Sequence, residues 1–531
     1  MPTDCITYQN SGYFSSLIND YLDQKPELQS LYHRFPTLDN FKDQIEEKKD
    51  NSHEAIAKRE VLVSVLEQQY SNLKVSDKTL NNIKLLNNST TFTITTGHQL
   101  NLFTGPLYFL YKIISTINLA KELKAKYPQQ NFVPVYWMAT EDHDFEEINY
   151  FKLHNKKFQW NRESKGPVGR LSTEGLDHFF ELFSKELGIG QNADNLRKMF
   201  ENAYLKHSNL ADATRFLANE LFGEYGLVIL DADDAQLKHF LTPYIKDELL
   251  HQTSHKAVSK TIENLHNYTI QVNPREINLF YIEDHLRERI VLENQKYKVN
   301  NTDIEFSESE ILDLVEKHPE KFSPNVILRP LYQEVILPNL CYIGGGGEIA
   351  YWLELKSYFD AAKVTFPILL IRNSVLLASE KQVKKADKLK LNWKDLFSKQ
   401  EILINEKVRL FDDYPIDFDI QKEHLKNQFH YLHTLTLQTD KSFAGAVKAQ
   451  EVKQLKGLEK LEHKFLKAQK RKHVEELNRI RHLQNELFPN QSLQERQANF
   501  SEFYLENGQM LIEKLFYELK PLEQEFKILS F

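Results

Sequence analysis

The chain has 531 residues, too many for one compact core, with 41% hydrophobic residues, 27% charged residues and a formal net charge of -8. The absence of a basic excess argues against a nucleic-acid coat, and no apolar run reaches the roughly 18 residues of a membrane span. Two cysteines, Cys5 and Cys341, and no basic-then-apolar leader at the N-terminus lead us to expect a cytoplasmic protein without a disulfide framework.

Residues 1 to about 90 read as helical. "TFTIT" (91–95) is a short β-branched run that reads as a strand. "GPLYFLYKIISTINLAKELKAKY" then reads as a helix of about 20 residues, with Pro106 in its first turn. "NFVPVYWMAT" (131–140) is the next strand, so a parallel crossover is expected. "GLVILDADD" (226–234), "NLFYIED" (278–284) and "VTFPILLIRNS" (364–374) read as further strands of the same α/β sheet, and "IAYWLELKSYFDAA" (349–362) as a helix. Charged stretches at about 150–225 and 235–320 read as insertions. From 379 to 488 the chain is polar and helical. Leu458, Leu461, Phe465 and Ala468, then Val474, Leu477, Ile480 and Leu483, form a narrow apolar seam suited to a protruding helical hairpin. Residues 489–531 regain aromatics and are expected to dock back on a core spanning 1–378. The basic run "KAQKRKH" (467–473) reads as a solvated helix face, and no nucleic-acid partner is expected.

Three clusters carry the chemistry. "TTGHQLNLFTGP" follows the first strand, where ligands bind in an open parallel sheet. Gly97 permits close backbone approach, His98, Gln99, Asn101 and Thr104 supply polar groups, and Gly105 with Pro106 opens a helix whose N–H groups favour an anion. A well-capped turn around a core histidine is the plainer alternative. "WMATEDHDFEEINY" starts at Trp137 and puts Glu141, Asp142, His143 and Asp144 beyond the second strand. Such a cluster suits general acid–base work, recognition of an amine, metal ligation or simple helix capping. Without HExxH or CxxC spacing, we assign no metal ligands. "LRPLYQEVILPNLCYIGGGGEIAYWLELK" brings Arg329, Tyr342, the run Gly344, Gly345, Gly346 and Gly347, then Glu348, Tyr351 and Trp352. Bare N–H groups at the helix start, flanked by aromatics, indicate a pocket. Cys341 reads as a buried small residue. Arg372, Asn373 and Ser374 end the last core strand and could face the same crevice.

Taken in this order, "TTGHQLNLFTGPLYFLYKIIS", "VPVYWMATEDHDFEEIN" and "LRPLYQEVILPNLCYIGGGGEIAYWLEL" resemble the family of cysteine-adding enzymes of bacillithiol biosynthesis, over most of the chain. The resemblance implies a Rossmann-type parallel core similar to class I aminoacyl-tRNA synthetases and nucleotidyltransferases. It also implies connecting-peptide insertions and an α-helical coiled-coil domain that promotes homodimers. The implied reaction adds L-cysteine to the amine of glucosaminyl-malate, with ATP expected as co-substrate. Gly97, His98, Gln99, Thr104 and Gly105 occupy the place of the synthetases' histidine-rich signature and become nucleotide or carboxylate candidates. "NSVLLASEKQVKK" (373–385) holds Ser379 and Lys381 but no KMSKS pattern. The residues alone also admit an adenylate-forming enzyme acting on another small acid, or a nucleotide-binding scaffold whose helices hold a partner.

Overall fold

The computed structural model describes residues 4–50, 52–411, 417–439 and 441–531. Its centre is a sheet of five parallel strands: β1 (Thr91–His98), β2 (Asn131–Met138), β3 (Val228–Asp231), β4 (Asn339–Gly344) and β5 (Ile368–Ile371). They lie side by side in the order β5-β4-β1-β2-β3, all parallel. Every residue of β1 is buried, as expected of a strand covered on both faces. Chain order reverses between β1 and β4. In a sheet of this kind that reversal opens a crevice at the carboxyl ends.

Helix α1 (Tyr108–Lys126) connects β1 to β2 and is buried along most of its length, with Lys124 and Lys126 in its last turn, where cations suit the helix dipole. β1 itself runs on through Gly97 and His98, so those residues belong to the strand end rather than to the turn expected after Thr96. N-terminal helices cover the β5 edge: Tyr21 donates to the Leu369 carbonyl at 2.7 Å and Gln44 to that of Phe366 at 3.0 Å.

The two inserted stretches differ from one another. The first carries a hairpin (Tyr150–Leu153, Lys156–Gln159) and helices around an aromatic cluster of Phe103, Phe151, Phe183 and Phe200. The second builds its own five-stranded antiparallel sheet. Leu279–Glu283, expected in the parallel core, belongs to this inserted sheet, where it pairs with Leu286–Glu293 and Phe322–Pro324. The helix expected over 349–362 is two helices, α3 (Gly346–Leu353) and Lys356–Ala362, broken at Glu354 and Leu355. Among the strands not expected from sequence, Asp4–Thr7 and Glu525–Ser530 form a three-stranded sheet with Ser374–Ala378.

The polar region forms a helical hairpin of α4 (Asp419–Thr436) and α5 (Lys441–Lys472). Lys422 meets Glu462 at 2.6 Å and His433 meets Glu451 at 3.0 Å, which fixes the pair as antiparallel. The expected seam holds at Leu477, Ile480 and Leu483, which are buried. It fails before that: Leu461 and Ala468 are exposed, and Leu466 is buried instead. The inward positions run Leu458, Glu462, Leu466, Gln469, His473, Leu477, Ile480 and Gln484, three or four apart across the helix break at His473.

Candidate functional site

A cleft of about 920 Å³ lies over the β1/β4 switch point. Its floor is the strand ends, with Gly97 and His98 from β1, Trp137 and Met138 from β2, and Tyr342 and Gly345 at the end of β4. A Cβ at Gly97 would sit 3.1 Å from the Tyr342 hydroxyl, so that ring would have to give way to any larger residue.

The floor is held by an ionic network around a buried lysine, Lys112, that the sequence reading did not single out. Lys112, one turn into α1, donates to the Gly97 carbonyl at 2.8 Å and pairs with Glu348 at 2.6 Å. Glu348 also accepts from the Tyr342 hydroxyl at 2.8 Å and from the Gly345 N–H at 2.9 Å. Burial lowers the Lys112 ammonium from its ordinary value. Burial would raise Glu348, but the Lys112 charge and its hydrogen bonds outweigh it and bring the carboxyl down. The Glu348 contact also corrects the expectation of four bare glycine N–H groups. Gly344 ends the strand, and Gly345 is capped by Glu348 reaching back from the first turn, as in a capping box. The Gly346 and Gly347 N–H groups lie in the first turn of α3, where no helix carbonyl can meet them.

Above this floor stands Arg329 from helix α2 (Leu328–Ile336), boxed by the rings of Trp137, Tyr342 and Trp352 at 5.7, 5.6 and 6.0 Å. Its guanidinium meets Gln333 and the Tyr351 hydroxyl, and no carboxylate pairs with it among the described residues. Arg372 ends β5 and is paired with Glu495 at 2.7 Å. Its Nε is buried without a partner and faces Gly345 at 3.7 Å from where a Cβ would sit. Glu495 and Arg496 come from the last forty residues, so the segment that docks back also completes this wall. A side pocket of about 160 Å³ continues past Gly345, Gly346 and Gly347 toward Phe14 and Glu495.

The acidic cluster is divided by its surroundings. Glu141 is committed to Lys238 at 2.6 Å, which also holds Asp233 at 2.9 Å. Asp142 accepts from Gln99 at 2.9 Å and from the His143 N–H at 2.8 Å. Burial would raise its carboxyl, but hydrogen bonds from His143 and Gln99 and the field of Arg287 hold it well below the usual carboxylate range. It is therefore a standing negative charge at neutral pH. Gln99 also reaches Glu147 at 2.9 Å. His143 sits at the rim with its Nδ1 2.7 Å from Arg287, and Asp144 is exposed; neither lines the cleft.

His98 lines the cleft and is buried against Tyr108 and Phe109, with its Nε2 unpartnered. Burial, then the Lys112 charge, press its imidazole well below the ordinary histidine value, so the ring is neutral at pH 7. Thr104 and Gly105 turn away from the cleft. Asn499 donates to the Phe103 and Gly105 carbonyls, and the helix starts only at Tyr108. Trp352 lies behind the lining, stacked on Tyr342 at 4.6 Å. Asn373 bonds Ser115 and the Lys520 carbonyl and is a buried support, whereas Ser374, bonded to Arg372 and Glu495, lines the side pocket. Cys341 is buried in the sheet. Among the described residues no group of three or more His, Cys, Asp or Glu is arranged to hold a metal ion, and no helix is long and apolar enough to cross a membrane.

The unpartnered Arg372 Nε and the N–H groups of Gly346 and Gly347 fit an anionic phosphate group. Arg275, Arg287 and Arg289 of the second insertion also line the cleft. The sequence reading singled out none of these three.

Comparison with known proteins agrees with this architecture. Residues 1–373 match the family model for the N-terminal Rossmann-like domain of bacillithiol biosynthesis BshC, and residues 375–531 match that for its C-terminal coiled-coil domain. A protein of Flavobacterium johnsoniae named "Putative cysteine ligase BshC" is 68% identical, with all of both chains covered. Relatives of the same name from Christiangramia forsetii and Bacillus cereus are 60% and 28% identical, covering 100% and 94% of this chain and 99% and 96% of theirs. With both domains matched from end to end and the switch-point cleft in place, the chain belongs to the BshC family of bacillithiol biosynthesis.

Proposed function

We propose that this chain is a cysteine ligase that joins the carboxyl of L-cysteine to the amine of glucosaminyl-malate, in the cleft over β1 and β4. The observation that carries this reading is the pairing, in one cleft, of a carboxylate kept charged with a guanidinium that has no carboxylate partner. Asp142 suits an ammonium, and Arg329 suits a carboxylate or the negative charge that develops on an acyl oxygen. The neutral His98 Nε2 offers an acceptor for a proton leaving the amine. A carboxylate is a poor acyl donor at pH 7, and a nucleoside triphosphate would supply the leaving group it lacks. Gly346, Gly347, Arg372 and Arg496 are the residues we assign to its phosphates.

The exposed apolar side chains Ile420 and Tyr431 of α4 and Val452 and Leu461 of α5 support a homodimer formed through the hairpin. With two free cysteines, one exposed, the cytoplasm is the compartment we assign. The test is incubation of the purified chain with glucosaminyl-malate, L-cysteine and ATP, followed by mass spectrometry. The expected product carries one cysteinyl group joined with loss of water, and its formation stops when ATP is left out. Unchanged glucosaminyl-malate would refute the reading. An adenylate-forming enzyme for a different acid would instead release pyrophosphate from ATP with that acid and not with cysteine.

A further inference from the structure

The inserted sheet contributes cations that neither the fold nor the network at the sheet floor requires. Arg275, Arg287 and Arg289 line the cleft, and none of them forms an ion pair among the described residues. In a chain of net charge -8 with ample carboxylates, three arginines in one wall without a direct ion pair, two of them exposed to the cleft, point to a ligand that brings negative charge.

The wall is braced. Arg287 lies over the Phe280 ring at 4.0 Å, donates to Ser323 Oγ at 3.1 Å and to the Pro324 carbonyl at 3.3 Å, meets His143 Nδ1 at 2.7 Å, and stands in the field of Glu141, Asp142 and Asp233 without a direct ion pair to any of them. Arg289 stands two residues further along the same strand, on the same face, and is exposed. Arg275 sits on a loop fixed at both ends by buried carboxylates. Glu354 accepts from the N–H groups of Gln271 and Val272, and Glu248 accepts from the N–H of Asn278, whose side chain in turn bonds the Arg275 backbone.

We infer that Arg275, Arg287 and Arg289 form a subsite for a four-carbon dicarboxylate, and so fix the malyl end of the acceptor. The inference rests on the proposed ligase reading and names the part of the insertion that selects its substrate. Two arginines two residues apart on a strand are separated by roughly 6.6 Å along it. That spacing matches two separate carboxylates better than one phosphorus centre. Arginine's planar fork suits each of them. Phosphate groups already have donors at Gly346, Gly347 and Arg372.

The test is calorimetric titration of the full chain with L-malate and, as the one-carboxylate control, L-lactate. Wild type is expected to bind malate at least about tenfold more tightly than lactate. The exposed pair substitution Arg275→Gln/Arg289→Gln is expected to abolish that preference and leave ATP binding and the melting temperature unchanged. Arg289→Lys should restore part of it. Equal binding of malate and lactate by wild type, or undiminished malate binding by the double variant, overturns the assignment. Loss of ATP binding with malate binding intact also overturns it and gives the wall to phosphates. Failure of this subsite and failure of the ligase reading are distinguishable. Malate preference without any cysteinyl product leaves the subsite and removes the ligase. Product formed by the double variant with an unchanged KM for glucosaminyl-malate does the reverse.

Discussion

The two charged walls of the cleft are built in opposite ways. The acids are contiguous in sequence, from Glu141 to Glu147, but the fold separates them: Glu141 is spent on Lys238, Asp144 faces solvent, and Asp142 is left as a fixed charge in the cleft. The cations are scattered from Lys112 to Arg496, and the fold gathers them into one space. A cluster along the chain is therefore a weak guide to which charges a ligand meets. What matters is whether a side chain already has a partner, and that is decided by segments far away in sequence.

The largest effect that would test this contrast is at the floor. Lys112→Met leaves the half-buried Glu348 without its cation, and because solvent reaches that carboxylate the cost should be at most the low end of that for a fully buried pair, about 3 kcal/mol. Urea denaturation should show that loss, and the double substitution Lys112→Met/Glu348→Gln should recover much of it. A Lys112→Met protein as stable as wild type would mean that the floor is not held by this pair.

Next comes the brace of the arginine loop. Burial raises the Glu354 carboxyl from 4.5 to about 7, so the folded state favours its neutral form. The sign follows: the associated stability is fully present below pH 4.5 and is lost as pH rises through 7. At 1.36 kcal/mol per pKa unit, the loss is about 3 kcal/mol. Glu354→Gln should flatten this part of the stability–pH curve. A variant curve parallel to that of wild type between pH 4.5 and 8 would contradict the brace.

Arg329→Ala should lower kcat/KM by about two powers of ten, the usual cost of one donor to a developing oxyanion. Arg329→Lys should rescue little, because the aromatic box fits a planar guanidinium. At the small end, Asp144→Ala is expected to leave the rate within about twofold, as surface substitutions commonly do. Steady-state assays of the two alanine variants side by side would sharpen the comparison of the walls, and reversed magnitudes would break it.

How much was legible depends on how local the cause is. β1, β2 and the glycine run before α3 could be read from sequence, because β-branched runs and helix-start glycines act over a few residues. The switch-point order could not, since it needs β4 to insert beside β1 after some 240 residues. Lys112 carried a signal that went unused: a lone lysine inside the apolar run 109–114 is seldom buried unless paired. Arg287 and Arg289 look like the solvated face of a strand until the insertion folds over the cleft. The hairpin seam was expected from apolar residues alone, whereas the inward stripe before His473 runs partly through polar side chains such as Glu462 and Gln469.

The central claim is that the gathered cations and the charged Asp142 act on one pair of substrates in the β1/β4 cleft. The most direct measurement is mass-spectrometric quantification of cysteinyl product made by wild type, Arg329→Ala and Asp142→Asn proteins from glucosaminyl-malate, L-cysteine and ATP. The account predicts product from wild type and near-complete loss in both variants, with folding intact. Product formed at wild-type rate by both variants would contradict it.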